Sequence, residues 1–227
     1  MAANSEQSLN IISMDGAAAT GKSSTANAVS KALNYLHVDT GSHYRIICYH
    51  LNQKSLHPED SPALLAALDA FKVNTILKGN SILFEIDETS VKTYDLRSYT
   101  VNSLVSRFAS LKPVRDFLLR YQRSLVDFAK KNHFRGMIVE GRDIGSVVFP
   151  KATLKVFLEA DANTRVTRRE NEGHTDVINQ RDAIDANRKL SPLKCPEDAL
   201  SINTSRLSLD EVVSIILKEI AKRDEFK

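Results

Sequence analysis

The chain has 227 residues, of which 42% are hydrophobic and 26% are charged, a balance typical of a globular protein rather than a disordered or fibrous one. The formal net charge is only +3, which argues against a protein that grips a nucleic-acid backbone, because such proteins carry a strong basic excess. The two cysteines, Cys48 and Cys195, lie far apart and exclude a disulfide framework or a cysteine-rich zinc site.

The length allows one α/β domain with insertions or two small domains. Residues 1–7 are polar and lack the basic and apolar regions of a signal peptide. No apolar run approaches the length of a transmembrane helix. We therefore expect a cytoplasmic protein with no membrane partner.

The first predicted element is a buried strand over Leu9–Met14, and the loop MDGAAATGKSS overlaps its end. Gly16, four small residues and then Gly21, Lys22 and Ser23 match the phosphate-binding spacing G-x-x-x-x-G-K-[ST]. Small residues let backbone N–H groups surround a phosphate, Lys22 adds positive charge, and Ser23 offers a hydroxyl to Mg²⁺. Because a helical pattern follows at once, the stretch predicts a nucleotide phosphate site rather than an ordinary glycine turn.

Four further strands are short and apolar, without the alternation of a strand that has one solvated face. This pattern favours a parallel sheet with helices on both faces, an α/β fold. Ligands of such sheets bind at the carboxyl ends of the strands, where the motifs DTGSHYR and EGRDIGSVVFP occur. The four strands are Tyr35–Val38, Met137–Val139, Leu154–Leu158 and Ala199–Ile202.

The segment Phe71–Leu96 interrupts this rhythm. Gly79 and Asn80 separate two β-rich runs and predict a hairpin, with which a third run over Ser90–Tyr94 is expected to pair. We therefore expect a small antiparallel insertion. Three helices are predicted after it, over Val101–Ser110, over Lys112–Lys131, and after a capping box at Ser208–Glu211.

Arginines on several separate segments indicate an anion site beyond the loop. Arg45 ends DTGSHYR, Arg142 lies in EGRDIGSVVFP, and QRDAIDANRK places Arg181, Asp185 and Arg188 on one helical face. Each motif alone has an ordinary explanation, a surface ion pair or a turn. Together they suit phosphoryl transfer, which needs several cations around the donor and acceptor phosphates.

Five motifs in order resemble those of the bacterial cytidylate kinases, a branch of the nucleoside monophosphate kinases: GAAATGKSS, DTGSHYR, EGRDIGSVVFP, QRDAIDANR and SINTSRLSLDEVV. The resemblance runs from about Ile11 to Ile220. It implies phosphoryl transfer from ATP to CMP or dCMP with Mg²⁺. It also implies a single kinase domain over residues 1–227, with the phosphate-binding loop at 16–23, a monophosphate-binding insertion at about 69–100 and a mobile lid at about 171–190.

The resemblance also assigns roles to residues. Asp143 and Arg115 match positions that read the cytosine base, with Thr40 and Arg188 assisting. A carboxylate facing the amino group of cytosine would disfavour uracil, which has a carbonyl there. No general base is needed, because the acceptor is a phosphate oxygen that is already ionised.

The full expected site is as follows. ATP is bound by Gly16, Ala17, Ala18, Ala19, Thr20, Gly21, Lys22, Ser23 and Ser24, and Mg²⁺ by Ser23 together with ATP phosphates and water. CMP is bound by Thr40, Arg45, Ser106, Arg115, Arg142, Asp143, Arg181, Asp185 and Arg188, with Arg45 and Arg142 on the phosphate and Ser106, Arg181 and Asp185 around the sugar. The catalytic cations are Lys22, Arg142, Arg181 and Arg188. The implied partners are ATP, CMP and dCMP, without nucleic acid, and the protein is expected to be a monomer.

The sequence departs from the family pattern at several positions. Asn203 stands where an aspartate is usual, and this leaves the role of that position open. Thr40 replaces a common serine but keeps the hydroxyl, Ala17 replaces a frequent proline, and Ser146 replaces a frequent threonine.

Three alternatives stay open on the residues alone. The first is another small-molecule kinase, acting on a different monophosphate or on shikimate. The second is a non-enzymatic nucleotide-binding protein, although Lys22 and all assigned arginines are present and no guanine-reading Asn-Lys-x-Asp motif occurs. The third is a nucleic-acid-binding ATPase, which the near-neutral charge disfavours.

Overall fold

The computed structural model describes residues 9–171 and 178–226, and the side chains of residues 178–181 lie outside that description. Seven strands form one sheet in the order β3-β4-β2-β5-β1-β6-β7. All neighbouring strands are parallel except β3 and β4. The strands are β1 (Asn10–Gly16), β2 (Leu36–Asp39), β3 (Val73–Lys78), β4 (Ser81–Ile86), β5 (Gly136–Gly141), β6 (Leu154–Glu159) and β7 (Leu200–Asn203).

Helices cover both faces of this sheet, so the predicted α/β class is confirmed. The capping box at Ser208 is present, and the helix predicted over Lys112–Lys131 has those bounds. Among the described residues, no helix is both long enough and apolar enough to cross a membrane. The α-helices are α1 (Lys22–Leu33), α2 (Thr40–Gln53), α3 (Pro62–Ala70), α4 (Thr93–Leu96), α5 (Tyr99–Phe108), α6 (Lys112–Lys131), α7 (Ala162–Asn171), α8 (Ile178–Asn187) and α9 (Leu209–Ala221), with a π-helical turn at Ile144–Val148 and a 3₁₀ turn at Asp224–Phe226.

The central strands are buried on both faces. Met137 and Val139 of β5 pack on one side with Leu125 of α6. Ile138, between them in sequence, packs on the other side with Val29 of α1. Successive side chains of a strand point to opposite faces, so a strand covered on both sides is apolar throughout. This burial explains why the sequence shows no alternation there.

The predicted hairpin forms from β3 and β4, and its turn uses Gly79 at φ +58°, a conformation that favours glycine. It joins the parallel sheet through a bridge between His37 and Ser81, so the insertion extends the core sheet. The third strand predicted over Ser90–Tyr94 is wrong. Asp87 and Glu88 turn the chain with positive φ angles, and the chain then enters α4.

The predicted lid at about 171–190 includes α8 and residues 172–177, and the latter lie outside the described residues. The described part of this segment brings α8 against α5. It also places Asp182 and Asp185 beside the carboxyl ends of the central strands.

Candidate active site

The loop between β1 and α1 is shaped by its two glycines. A Cβ on Gly16 would lie 2.2 Å from the backbone oxygen of Leu158, so no other residue fits there without a backbone shift. Gly21 is the N-cap of α1 at φ +91°, which also favours glycine. Ala19 adopts φ +58° between them. The loop therefore curls tightly before the positive end of α1, as a phosphate-binding loop requires.

Lys22 folds back over this loop. Its Nζ donates to the backbone oxygen of Ala17 at 2.5 Å and lies 3.4 Å from Oγ1 of Thr20. Burial, together with the nearby Arg142 guanidinium, lowers the pKa of Lys22 to about 7, although the Glu140 carboxylate acts in the opposite direction. A phosphate bound in the loop would favour the charged ammonium, because an opposite charge stabilises the ionised form.

Ser23 contacts a buried carboxylate at the end of the neighbouring strand. Its Oγ donates to Oε2 of Glu140 at 2.7 Å, and Oε1 of Glu140 lies 2.9 Å from Nε2 of His37. The registers of β5 with β1 and β2 place Glu140 opposite Met14 and Asp39, at the carboxyl edge of the sheet. A hydroxyl and a carboxylate therefore converge beside the phosphate-binding loop.

Asp15 fixes the segment that follows β5. Its two carboxylate oxygens accept from the backbone N–H groups of Ile144 and Gly145, each at 2.7 Å. Burial raises the pKa of Asp15 to about 6, although the two N–H donors act in the opposite direction. These bonds tie the motif containing Arg142 and Asp143 directly to the strand that carries the phosphate-binding loop.

Asp143 lies at the centre of a buried group from three segments. It pairs with Arg115 of α6 and, through Oδ1 at 3.1 Å, with Nη2 of Arg188, which follows α8. The three residues are 4%, 7% and 9% exposed, respectively. Thr40, at the start of α2, donates its hydroxyl to the backbone oxygen of Glu140 at 2.7 Å. The structure thus brings together the residues predicted to read the base, and their roles stay predictions.

Arg142 bridges the phosphate-binding loop and α8. Its Nη1 donates to the backbone oxygen of Gly16 at 2.6 Å, and its Nε lies 3.2 Å from Oδ2 of Asp185. Oδ1 of Asp185 in turn lies 3.7 Å from Nη1 of Arg188. Arg142 is therefore placed between the predicted donor and acceptor sites, as a cation shared by both phosphates would be.

The other predicted CMP residues lie on neighbouring helices. Ser106 of α5 is buried, and α5 packs against α8. Arg181 lies in α8, and its side chain is outside the described residues. Arg45 of α2 donates through Nη1 to the backbone oxygen of Leu96 and to Oδ1 of Asn102, both at 2.7 Å.

Asp182 occupies one of the loop's phosphate-binding donors in this structure. Its Oδ1 accepts from the backbone N–H of Ala18 at 3.1 Å and lies 3.5 Å from Nη2 of Arg142. Its Oδ2 pairs with Arg165 of α7, whose Nη1 is also 3.4 Å from the backbone oxygen of Ala18. A carboxylate that accepts from a loop N–H group and lies beside two arginines makes contacts expected of a nucleotide phosphate.

Arg168 of α7 lies on the same side of the loop. It donates to Oγ1 and the backbone oxygen of Thr204 at 2.9 and 2.7 Å, and its Nη1 lies 3.4 Å from the backbone oxygen of Ala19. Asn203, the departure noted in the sequence, accepts from the backbone N–H of Ser205 at 2.9 Å. An aspartate could accept the same bond, so Asn203 preserves the local turn after β7.

Sequence reasoning gave no role to Glu140, Asp182, Arg165 or Arg168. A signal existed for three of these positions. Glu140 is a carboxylate at the end of a strand, and Arg165 and Arg168 are spaced for one helix face. Asp182 had no such signal, because the helical-face pattern and the family resemblance both singled out Asp185, three residues later on the same helix.

Neutralising Asp182 is expected to tighten ATP binding. Asp182→Asn keeps the side-chain shape but removes the negative charge that competes with phosphate for Ala18 and Arg165. We expect the Kd for ATP to fall about fivefold, equivalent to about 1 kcal/mol. Isothermal titration of ATP measures this. Asp198→Asn is the matched control, because Asp198 pairs with Lys155 and precedes β7, at the amino ends of the strands and away from the phosphate-binding loop. Weaker ATP binding by Asp182→Asn would contradict the competition.

Comparison with known proteins gives a consistent picture. The family model described as cytidylate kinase matches residues 12–222. The chain is 35% identical to the cytidylate kinase of Fusobacterium nucleatum subsp. nucleatum, covering 93% of this chain and 97% of that relative. It is 34% identical to a bifunctional pantoate ligase/cytidylate kinase of Prochlorococcus marinus, covering 96% of this chain but 45% of that relative. An uncharacterized protein from Eubacterium ventriosum has a similar fold, with a TM-score of 0.51 and 12% identity over 94% of this chain and 99% of that one.

Proposed function

Because the chain belongs to the cytidylate kinase family, we propose that it transfers the γ-phosphoryl group of ATP to CMP and dCMP, giving ADP and CDP or dCDP. The observation that carries this proposal is the buried group of Asp143, Arg115 and Arg188 beside the phosphate-binding loop. This group offers both an acceptor and donors to a flat polar base, within one site that also offers cations to phosphates.

The base preference follows from hydrogen-bond chemistry. Cytosine presents an amino donor that the Asp143 carboxylate can accept, and a carbonyl and a ring nitrogen to which Arg115 can donate. Uracil places a carbonyl where cytosine has the amino group, so two acceptors would face each other. A buried site with unpaired polar groups discriminates strongly, because neither group then regains the hydrogen bonds it had in water.

Phosphoryl transfer in this site is proposed to depend on positioning and charge rather than on a general base. The acceptor phosphate oxygen of CMP is already ionised and needs no proton removed. Lys22, Arg142 and Arg188, with Arg181 from α8, would stabilise negative charge spread over the transferring group. Arg165 and Arg168 add two further cations against the loop. Closure of α8 over the site would exclude water.

Ser23 and Glu140 are suited to hold Mg²⁺. Mg²⁺ prefers oxygen ligands, and the Ser23 hydroxyl and Glu140 carboxylate already lie 2.7 Å apart beside the loop. Within the described part of the chain, no cluster of three or more His, Cys, Asp or Glu side chains could hold a metal ion. The other ligands would then be ATP phosphates and water. When bound, the ion neutralises charge on the β- and γ-phosphate oxygens.

Glu140→Gln is expected to raise the Mg²⁺ concentration needed for half-maximal activity by about tenfold, because a carboxylate ligand or its ordering effect on Ser23 is lost. Activity measured across a Mg²⁺ titration at fixed ATP tests this. Glu59→Gln, an exposed position between α2 and α3, is the matched control. An unchanged Mg²⁺ requirement in Glu140→Gln would exclude Glu140 from the metal site.

We further propose that the chain acts as one kinase domain and as a monomer, without nucleic acid. In this scheme the insertion at about 69–100 helps to bind the monophosphate, and the segment at about 171–190 is a mobile lid. Ser106, Arg181 and Asp185 would hold the sugar, and Thr40 and Arg45 would complete the CMP site. The burial of Ser106 and the packing of its helix, α5, against α8 support a sugar site that the lid completes.

Identification of the products tests the proposed reaction. Purified protein incubated with ATP, CMP and Mg²⁺ is expected to form ADP and CDP in equal amounts, resolved by anion-exchange chromatography. ADP formed without CDP would indicate hydrolysis rather than transfer. No reaction of a folded, ATP-binding protein with CMP or dCMP would overturn the proposal.

A further inference from the structure

The guanidinium of Arg45 is held by two neutral oxygens on a different structural segment. Its Nη1 donates to the backbone oxygen of Leu96 at the end of α4 and to Oδ1 of Asn102 in the first turns of α5, both at 2.7 Å. Asn102 is 6% exposed. The contact therefore joins α2 of the core to the corner between α4 and α5.

Asn102 is itself fixed by a second bond. Its Nδ2 donates to the backbone oxygen of Arg97 at 2.8 Å. Arginine can only donate and a backbone carbonyl can only accept, so these two partners determine which way the amide points. Both amide atoms of Asn102 are thus used, and the side chain cannot rotate without losing a buried hydrogen bond.

This arrangement suits an arginine that must bind an anion elsewhere. Both acceptors accept from the same terminal nitrogen, Nη1 of Arg45. A guanidinium carries five N–H groups in a rigid plane. Fixing one nitrogen orients that plane, and an oriented guanidinium can engage phosphate through two parallel bonds. The Asn102 amide is neutral, so this contact adds no negative charge beside Arg45, whereas a carboxylate at this position would form an ion pair with it, as Asp143 does with Arg115.

We propose that Asn102 is a positioning residue for Arg45 and thereby sets the affinity of the enzyme for the 5′-phosphate of its acceptor. This inference rests on the proposed function, in which Arg45 binds the phosphate of CMP. Asn102 acts through Arg45 and does not contact the base. Among ligands of the acceptor site, its removal should therefore affect only those that carry the 5′-phosphate.

The test compares a ligand with and without the phosphate. For Asn102→Ala we expect the KM and Kd for CMP to rise about tenfold, with the Kd for cytidine and the KM for ATP unchanged within about twofold. Ser103→Ala is the matched control, because Ser103 is the next residue on the same helix, is exposed, and donates its hydroxyl to the backbone oxygen of Thr100. Equal losses for CMP and cytidine would indicate a merely structural role and would overturn the inference.

Coupling to Arg45 provides the second readout. Asn102→Ala introduced into an Arg45→Met background should cause no further loss of CMP affinity, since its effect passes through Arg45. Additive losses would overturn the inference. If Asn102→Ala does not fold, Asn102→Asp is the second variant. It keeps the acceptor oxygen but neutralises Arg45, and it should weaken the binding of CMP while leaving the binding of cytidine unchanged. Wild-type protein that does not phosphorylate CMP would overturn the proposed function itself, whereas an active wild type with a normal Asn102→Ala overturns only this role.

Discussion

Lys22→Met is expected to lower the turnover number for phosphoryl transfer by about 10²- to 10³-fold, the usual effect of removing one fixed charge donor from a transition state. Methionine has a similar length, and among the described residues the Lys22 ammonium bonds to loop oxygens, so we expect the fold to stay intact. The loss should appear mainly in kcat, since charge on the transferring group develops most in the transition state. Steady-state kinetics with saturating ATP and CMP measure it.

The control for this variant is Lys31→Met, which removes an exposed lysine from the last turn of the same helix. It should retain wild-type turnover, and circular dichroism should show the same helix content for both variants. A folded Lys22→Met protein with unchanged turnover would remove Lys22 from the catalytic group. A change in KM for ATP alone would limit its role to ground-state binding.

Asp143→Asn is expected to lower kcat/KM for CMP by about 10²-fold and to reduce the preference for CMP over UMP, with the KM for ATP little changed. The amide cannot satisfy the cytosine amino group and both arginines as a carboxylate does, and it can present an N–H₂ group to the uracil carbonyl. The isosteric amide is preferable to alanine, because alanine would leave Arg115 and Arg188 buried without their shared carboxylate.

Asp116→Asn is the matched control for this prediction. Asp116 directly follows Arg115 on α6, is about half exposed, and pairs with Lys112. It should leave the ratio of kcat/KM for CMP and UMP unchanged. Equal losses for CMP and UMP in Asp143→Asn, or equal losses for CMP and ATP, would contradict the assignment of Asp143 to the base.

The arginines of this site are arranged as an ion network with the carboxylates around them. Asp143, Asp182 and Asp185 pair with Arg115, Arg142, Arg165 and Arg188. Buried ion pairs are costly to break by removing one member. In the proposed mechanism a nucleotide phosphate takes the place of the Asp182 carboxylate beside Arg142 and Arg165, so binding ATP need not leave either arginine unpaired.

Local patterns were sufficient to predict the phosphate-binding loop and the central strands. The residue types and spacing of one short segment mark the loop, although the need for glycine at position 16 comes from the backbone of Leu158 on β6. The burial of β5 on both faces leaves a direct mark in its composition. The hairpin was also predicted from a local pattern, the Gly79-Asn80 turn between two β-rich runs. The third strand over Ser90–Tyr94 failed because the positive φ angles at Asp87 and Glu88 turn the chain away, and neither residue type signals this strongly.

Long-range contacts could not be predicted in the same way. Asp182 and Asp185 lie on one helix with similar neighbours, yet Asp182 contacts the loop and Asp185 contacts Arg142. Which carboxylate meets which partner depends on how α8 packs, and a single sequence does not determine that packing. The bond from Arg45 to Asn102 is similar, because it joins residues 57 positions apart.

The most direct test of whether cytosine monophosphates are the acceptors is to measure kcat/KM for a panel of acceptors with ATP and Mg²⁺. The panel is CMP, dCMP, UMP, AMP, GMP and shikimate. We expect CMP and dCMP to exceed every other acceptor by at least about 10²-fold, because only cytosine satisfies both Asp143 and Arg115. A purine monophosphate or shikimate as the preferred acceptor would contradict the proposed acceptor while leaving the ATP site in place. Failure of all six acceptors with a protein that binds ATP would identify a nucleotide-binding protein rather than a kinase.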